Sequence, residues 1–109
     1  MRQVNGKRYF LVLGDMGELG EKEEQFHYEL GKIAANIGFD GMITVGKLSR
    51  HIAMGVGGGG KTTIMECTTC EDAWQRLQKM IQSGDVVLVK GSRYMHMETI
   101  LELWRKSLN

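Results

Sequence analysis

The sequence predicts an α/β fold, and three observations lead to it. Three short apolar runs, 9–13 (YFLVL), 42–45 (MITV) and 86–89 (VVLV), and one run of β-formers, 62–65 (TTIM), are each followed by apolar residues at helical spacing. The apolar runs are continuous rather than alternating, which implies strands covered on both faces and hence a parallel sheet between helices. Fifteen glycines occur with no proline, and they cluster at strand ends and loops, where they mark turns and close backbone approaches rather than disorder.

Taken in order, the run 9–13 ends at Gly14-Asp15, and a helix over 21–36 carries Phe26, Leu30, Ile33, Ala34 and Ile37 at helical spacing. The run 42–45 ends at Gly46, and a short helix over 48–54 follows with Leu48, Ile52 and Met54 inward. Beyond a glycine-rich stretch, 62–65 forms the third strand. The helix over 71–81 then places Ala73, Trp74, Leu77 and Met80 or Ile81 on one face, with Thr68 and Glu71 spaced as a capping box. The last unit pairs strand 86–89 with a helix over 95–104 that turns Met97, Ile100, Leu101 and Trp104 inward. The sum is a three-layer, Rossmann-like sandwich with a mostly parallel sheet of about four strands, in a single domain over 1–109.

Charge narrows the function. The 14 Lys+Arg against 13 Asp+Glu leave a net charge of +1, so no long-range field recruits nucleic acid or an anionic membrane. No apolar run approaches the length of a membrane span, and Arg2, Asn5, Lys7 and Arg8 occupy the place where a signal peptide would have its apolar core. A cytoplasmic protein without nucleic-acid or membrane partners is expected.

The chemistry gathers at strand ends. The strand 86–89 runs into Lys90-Gly91-Ser92-Arg93 and then into the amphipathic stretch 94–106, so backbone N–H groups at a helix start would sit beside two cations. Such a corner suits a carboxylate or a phosphate; the plain alternative is a βα turn with two solvated cations. A second loop of similar character, 14–20, carries Asp15 and Glu18 as acceptors. In parallel sheets ligands bind outside the carboxyl ends of the strands, where the chain direction switches. The loops 14–20, 46–49, 67–70 and 90–94 would share that edge.

Other motifs point elsewhere. Gly55-Val56-Gly57-Gly58-Gly59-Gly60-Lys61-Thr62 fits the P-loop pattern. A phosphate loop, however, leaves a strand and opens a helix, whereas here a helical stretch precedes and β-formers follow, so a plain loop is expected. Cys67-Thr68-Thr69-Cys70 is a CxxC between strand and helix, a placement that could lower a thiol pKa. No proline is present for the cis-Pro that redox pairs carry, and His27, His51 and His96 lack zinc-ligand spacing. Two reduced structural thiols and no metal site are therefore expected. His27, on a charged helix, is expected at the surface, while Met95, Met97, Trp74 and Trp104 are read as core and interface packing.

Gly14-Asp15-Met16-Gly17-Glu18-Leu19-Gly20, Glu29 with its helix to Gly38, Val45-Gly46-Lys47-Leu48, the stretch 84–93 (GDVVLVKGSR) and Met95-His96-Met97-Glu98 together resemble the carboxyl-terminal domain of the Mur ligases. The closest likeness is to the branch that adds D-alanyl-D-alanine to UDP-N-acetylmuramoyl-tripeptide, and it runs from about Lys7 to the end, weakest across 55–68. His96 stands where that family commonly has arginine and Tyr94 where it has glycine, and the family's Asp-x-Tyr-Asn-Ala-Asn-Pro segment, its central ATPase domain and its amino-terminal substrate domain are absent from this sequence.

The resemblance implies an ATP-dependent amide ligase of peptidoglycan precursor synthesis, in which ATP phosphorylates the tripeptide carboxylate and the dipeptide amine attacks the acyl phosphate. It implies ATP and magnesium bound mainly outside this chain, the central ATPase domain as a partner, and no catalytic residue within the lobe, so that the isolated chain is inactive. Lys90, Gly91, Ser92, Arg93, Asp15 and Glu18 are then the substrate-binding residues, with Lys90 also a candidate for an ATP phosphate. Two alternatives stand beside this reading: the lobe of another Mur-type ligase that accepts a different amino acid, and a small nucleotide-binding module using the loop from Gly55 to Thr62.

Overall fold

A computed structural model of the chain describes residues 8–15, 22–57, 63–91 and 96–108. Strands and helices alternate: β1 (Tyr9–Gly14), α1 (Glu23–Ile37), β2 (Gly41–Val45), α2 (Arg50–Val56), β3 (Thr63–Cys67), α3 (Cys70–Met80), β4 (Val86–Lys90) and α4 (Glu98–Ser107). The four strands form one all-parallel sheet in the order β3-β2-β1-β4, as the continuous apolar runs predict.

Because strand side chains alternate between faces, β1 and β2 feed two separate cores. Leu11, Leu13 and Met42 pack under α1 and α2 with Ala34 and Ile52. Val12, Ile43 and Val45 pack under α3 and α4 with Ala73, Leu77 and Ile100. Ile52 and Ile100 are fully buried, and truncating such a side chain to alanine costs about 2–5 kcal/mol. Trp74 and Trp104, with ring centroids 5.9 Å apart at 31°, join α3 to α4.

This winding creates the site. From β1 the chain steps to β2 and β3 through helices on one face, then returns past its start to β4 with α3 on the other face. The direction of winding therefore reverses between β1 and β4, and the register Leu13↔Lys90 sets their carboxyl ends side by side. At the opposite edge Arg8 holds the entry of both strands: its Nε and Nη2 donate to Asp85 at 3.1 and 2.7 Å, and Nη2 also donates to the Met80 carbonyl at 3.0 Å. The Arg8 hydrogen bond, with a further one from the Gln82 N–H, keeps the Asp85 carboxyl below its ordinary range despite partial desolvation.

Several sequence expectations need correction. Strand β4 is not covered on both faces: it lies at the sheet edge beyond α1, leaving Val86 at 37% and Leu88 at 45% exposure. An apolar groove of about 260 Å³ lies there, lined by Leu30, Ile33, Ile37, Leu88 and Lys90 among others. Helix α1 turns His27, Gly31 and Ala34 inward, while Phe26, Ile33 and Ile37 stay exposed. The cause is its crossing with α2, where Gly31 meets the Ile52 carbonyl and Gly55 the Tyr28 carbonyl with no room for a methyl group. The close backbone approach selects the smallest residues rather than the most apolar ones.

His27, expected at the surface, is consequently fully buried, and its Nδ1 donates to the Glu23 carbonyl at 2.6 Å. Met54 and Leu101, expected inward, are more than half exposed, and Leu103 packs against the core in place of Leu101. Thr69, not Thr68, caps α3: its Oγ1 accepts from the Asp72 N–H at 3.1 Å.

Candidate functional site

The carboxyl edge of the sheet is organised around glycines and one buried acid. Asp15, directly after β1, is 7% exposed, and its Oδ1 accepts from the Ser49 N–H at 2.6 Å. The Ser49 hydroxyl donates to the Gly46 carbonyl at 3.2 Å, and the Gly46 N–H donates to the Cys67 carbonyl at 2.9 Å. A chain of bonds thus ties the ends of β1, β2 and β3 together. Gly46 has φ 111°, and a methyl placed on it would lie 2.6 Å from the Asp15 carboxylate. Glycine is required there on both counts.

The two loops singled out by sequence meet at the switch point. A Cβ added to Gly91 would lie 3.3 Å from the Cα of Gly14, so the two strand ends run side by side with no room for a side chain between them. Lys90, the last residue of β4, is exposed and also borders the apolar groove on the α1 side. The structure therefore brings together Asp15, Lys90 and Gly91, with Asp15 turned into the protein and Lys90 outward. Glu18, Ser92 and Arg93 lie outside the described residues, as does Tyr94.

Helix α4 opens at Glu98, later than the amphipathic stretch beginning at Tyr94, and His96 and Met97 lead into its first turn. His96 takes the left-handed conformation at φ 51°, and its Nδ1 lies 3.5 Å from the Glu98 carboxylate. Between α3 and α4, on the same sheet edge, a cleft of about 440 Å³ is lined by Val45, Thr68, Thr69, Glu71, His96 and Thr99 among others. Sequence reasoning missed this cleft, since its walls come from three elements that sequence spacing does not join.

The remaining motifs resolve by their surroundings. Cys67 and Cys70 are buried and not joined in a disulfide. Burial, then Asp72, pushes the Cys67 thiol up to about 11, and burial followed by Glu71 and Glu98 raises Cys70. The helix N-terminus does not activate them; desolvation and acidic neighbours outweigh it. Gly55, the first residue of the P-loop pattern, lies inside α2, and β3 begins right after the pattern ends, at Thr63. That helix-to-strand order is the reverse of a phosphate loop. Among the described residues, no three His, Cys, Asp or Glu side chains group closely enough to hold a metal ion, and no helix is long and apolar enough to cross a membrane.

The fold and the sequence both have known relatives. Residues 1–93 match the family described as Mur ligase, glutamate ligase domain. The UDP-N-acetylmuramoyl-tripeptide–D-alanyl-D-alanine ligase of Bacillus subtilis is 39% identical over 98 residues, covering 89% of this chain and 21% of its own length. Its counterpart in Escherichia coli is 36% identical over 97 residues, 84% of this chain and 20% of that protein. Among solved structures, MurF from Acinetobacter baumannii superimposes with a TM-score of 0.79 at 31% identity, over 91% of this chain and 22% of that one. MurF ligase from Thermotoga maritima in complex with ADP gives 0.74 at 30% identity, over 94% and 22%. The chain thus spans about a fifth of the length of the relatives it matches. With the family match over residues 1–93, relatives at 36–39% identity and a superposition on a MurF structure at a TM-score of 0.79, the chain belongs to the Mur ligase family.

Proposed function

We propose that this chain is the dipeptide-accepting lobe of an ATP-dependent amide ligase that adds D-alanyl-D-alanine to UDP-N-acetylmuramoyl-tripeptide in peptidoglycan precursor synthesis. The observation that carries the reading is the meeting of the Gly14-Asp15 and Lys90-Gly91 loops at the topological switch point, where parallel α/β sheets bind ligands, in a chain 39% identical to a ligase of that name. In the reaction, the γ-phosphoryl group of ATP passes to the tripeptide carboxylate, leaving ADP and an acyl phosphate. The dipeptide amine then attacks the acyl carbon, loses a proton and expels inorganic phosphate as the amide forms.

Within that scheme the lobe binds and excludes water. Lys90, Ser92 and Arg93 supply cationic and hydroxyl donors for the dipeptide carboxylate, and Gly91 lets the backbone approach it. Asp15 acts from within, by holding its loop against the turn after β2. Closure of the lobe over a central ATPase domain, which with magnesium would bind ATP, protects the hydrolysable acyl phosphate. ATP and the UDP-linked precursor make this a cytoplasmic activity, and the isolated domain would be inactive. The nucleotide-module alternative loses its footing, because Gly55 serves the α1–α2 crossing.

The test is kinetic, in the complete ligase. Arg93→Ala is expected to raise the KM for D-alanyl-D-alanine roughly 10- to 150-fold, the equivalent of about 1.5–3 kcal/mol for a lost charge-assisted pair, with the KM for ATP nearly unchanged. Arg93→Lys should recover part of the loss, because an ammonium restores charge without the planar fork. Lys90→Ala assigns its cation to phosphate or carboxylate by which KM moves more. If Arg93→Ala alters neither KM nor kcat, the loop is an ordinary βα turn and the proposal fails.

A further inference from the structure

We infer that Met97 is a positioning residue of this site, a spacer whose side chain sets the separation of the loops leaving β1 and β4. The inference rests on the dipeptide-ligase reading above and deepens it. Met97 precedes α4 as its N-cap and is 5% exposed. A methyl on Gly14 would meet its Sδ at 2.6 Å, Cγ at 3.2 Å and Cε at 3.3 Å, and a methyl on Gly91 would meet its Cγ at 2.5 Å. One unbranched side chain therefore lies against both strand-end glycines. The two glycines lie side by side at the strand ends, so the Met97 side chain closes a three-way contact in which neither glycine has room for a side chain of its own.

Cys70 supports this spacer from α3. Its Sγ lies 4.0 Å from the Met97 Sδ and donates to the His96 carbonyl at 3.6 Å, so a buried thiol contacts both the spacer and the backbone directly before it. The second cysteine of the CxxC motif thereby has a packing role that needs no redox chemistry. Methionine suits the place: it is flexible enough to fill an irregular gap, and its sulfur is polarizable. Asp15 follows Gly14 and Lys90 precedes Gly91, so any change in the width of the contact moves the site residues themselves. A misplacement of about 1 Å can cost on the order of 100-fold in rate.

The experiment is a double-mutant cycle in the complete ligase, read as the KM for D-alanyl-D-alanine and for ATP, with Arg93→Ala run alongside. Met97→Ala and Gly14→Ala are each expected to raise the dipeptide KM about tenfold while the ATP KM stays within about twofold, and Met97→Leu, which keeps most of the volume, should stay within about threefold. The double variant Gly14→Ala/Met97→Ala should have a lower dipeptide KM than either single one, because the three atoms nearest the added methyl all belong to the Met97 side chain. Additive losses in the double variant, or a silent Met97→Ala beside a responsive Arg93→Ala, would overturn the inference and leave the dipeptide reading standing. A silent Arg93→Ala would sink both. Should Met97→Ala fail to fold, Gly14→Ala decides, and an unmoved dipeptide KM in that variant overturns the spacer.

Discussion

Replacing Asp15 with alanine should destabilise the domain because the carboxylate is an internal tie. The Asp15 Oδ1 accepts from the Ser49 N–H at 2.6 Å, and Ser49 is fully buried, so the substitution strands a donor that water cannot reach. A hydrogen bond to a charged group contributes about 1.5–3 kcal/mol. For a domain near this size each kcal/mol lowers Tm by about 4–8 °C, which makes the expected loss roughly 6–24 °C. Asp15→Asn keeps an acceptor and should lose about half as much. Gly46→Ala strikes the same carboxylate from the other side, so combining it with Asp15→Ala should cost less than the sum of the two. Urea unfolding followed by tryptophan fluorescence measures all of these, since Trp74 and Trp104 bridge α3 and α4. A variant Asp15→Ala with stability within about 0.5 kcal/mol of the parent and a raised dipeptide KM in the complete ligase would refute the reasoning and make Asp15 a substrate contact.

Three further outcomes are expected. Since Arg8 depresses the folded-state pKa of Asp85, the contribution of the pair is complete above the unfolded carboxylate pKa of about 3.9 and is lost as pH falls through the lower folded value. Asp85→Asn should accordingly flatten the acid limb of the stability–pH curve below about pH 4, and an unchanged limb in stepped urea titrations would count against the pair. With the Cys67 thiol at about 11, roughly one molecule in a thousand carries its thiolate at pH 8; a disulfide exchange reagent should label both cysteines only on unfolding, and one fast-reacting native thiol contradicts this. The 109 residues on their own should release no ADP from ATP in a coupled assay, and turnover abolished by Lys61→Ala would restore the phosphate-loop reading.

How far the sequence reaches is clearest in particular residues. The alternation of strands and helices was legible because apolar spacing and glycine punctuation are local signals, and the parallel sheet followed from runs such as that from Tyr9 to Leu13. Once the sheet is parallel, every loop that follows a strand must fall on one edge, so the topology alone puts the candidate residues around Gly14 and Lys90 on the same edge. The family resemblance lay in the same loops.

Tertiary structure decided which apolar face of each element finds a partner. Periodicity reports where the apolar residues of a helix lie, but His27 is buried and Ile33 exposed because α2 crosses α1 at Gly31, a contact between distant segments. Likewise Val86 and Leu88 read as core, yet they stand at an edge, since strand order depends on how the chain returns after β3. The Arg8–Asp85 pair joins residues 77 apart, the Asp15 tie joins residues 34 apart, and Met97 lies between two glycines from opposite ends of the chain. Local sequence sets what each segment prefers to be; long-range packing, which alone removes water from one face and leaves the other wet, determines what each side chain touches.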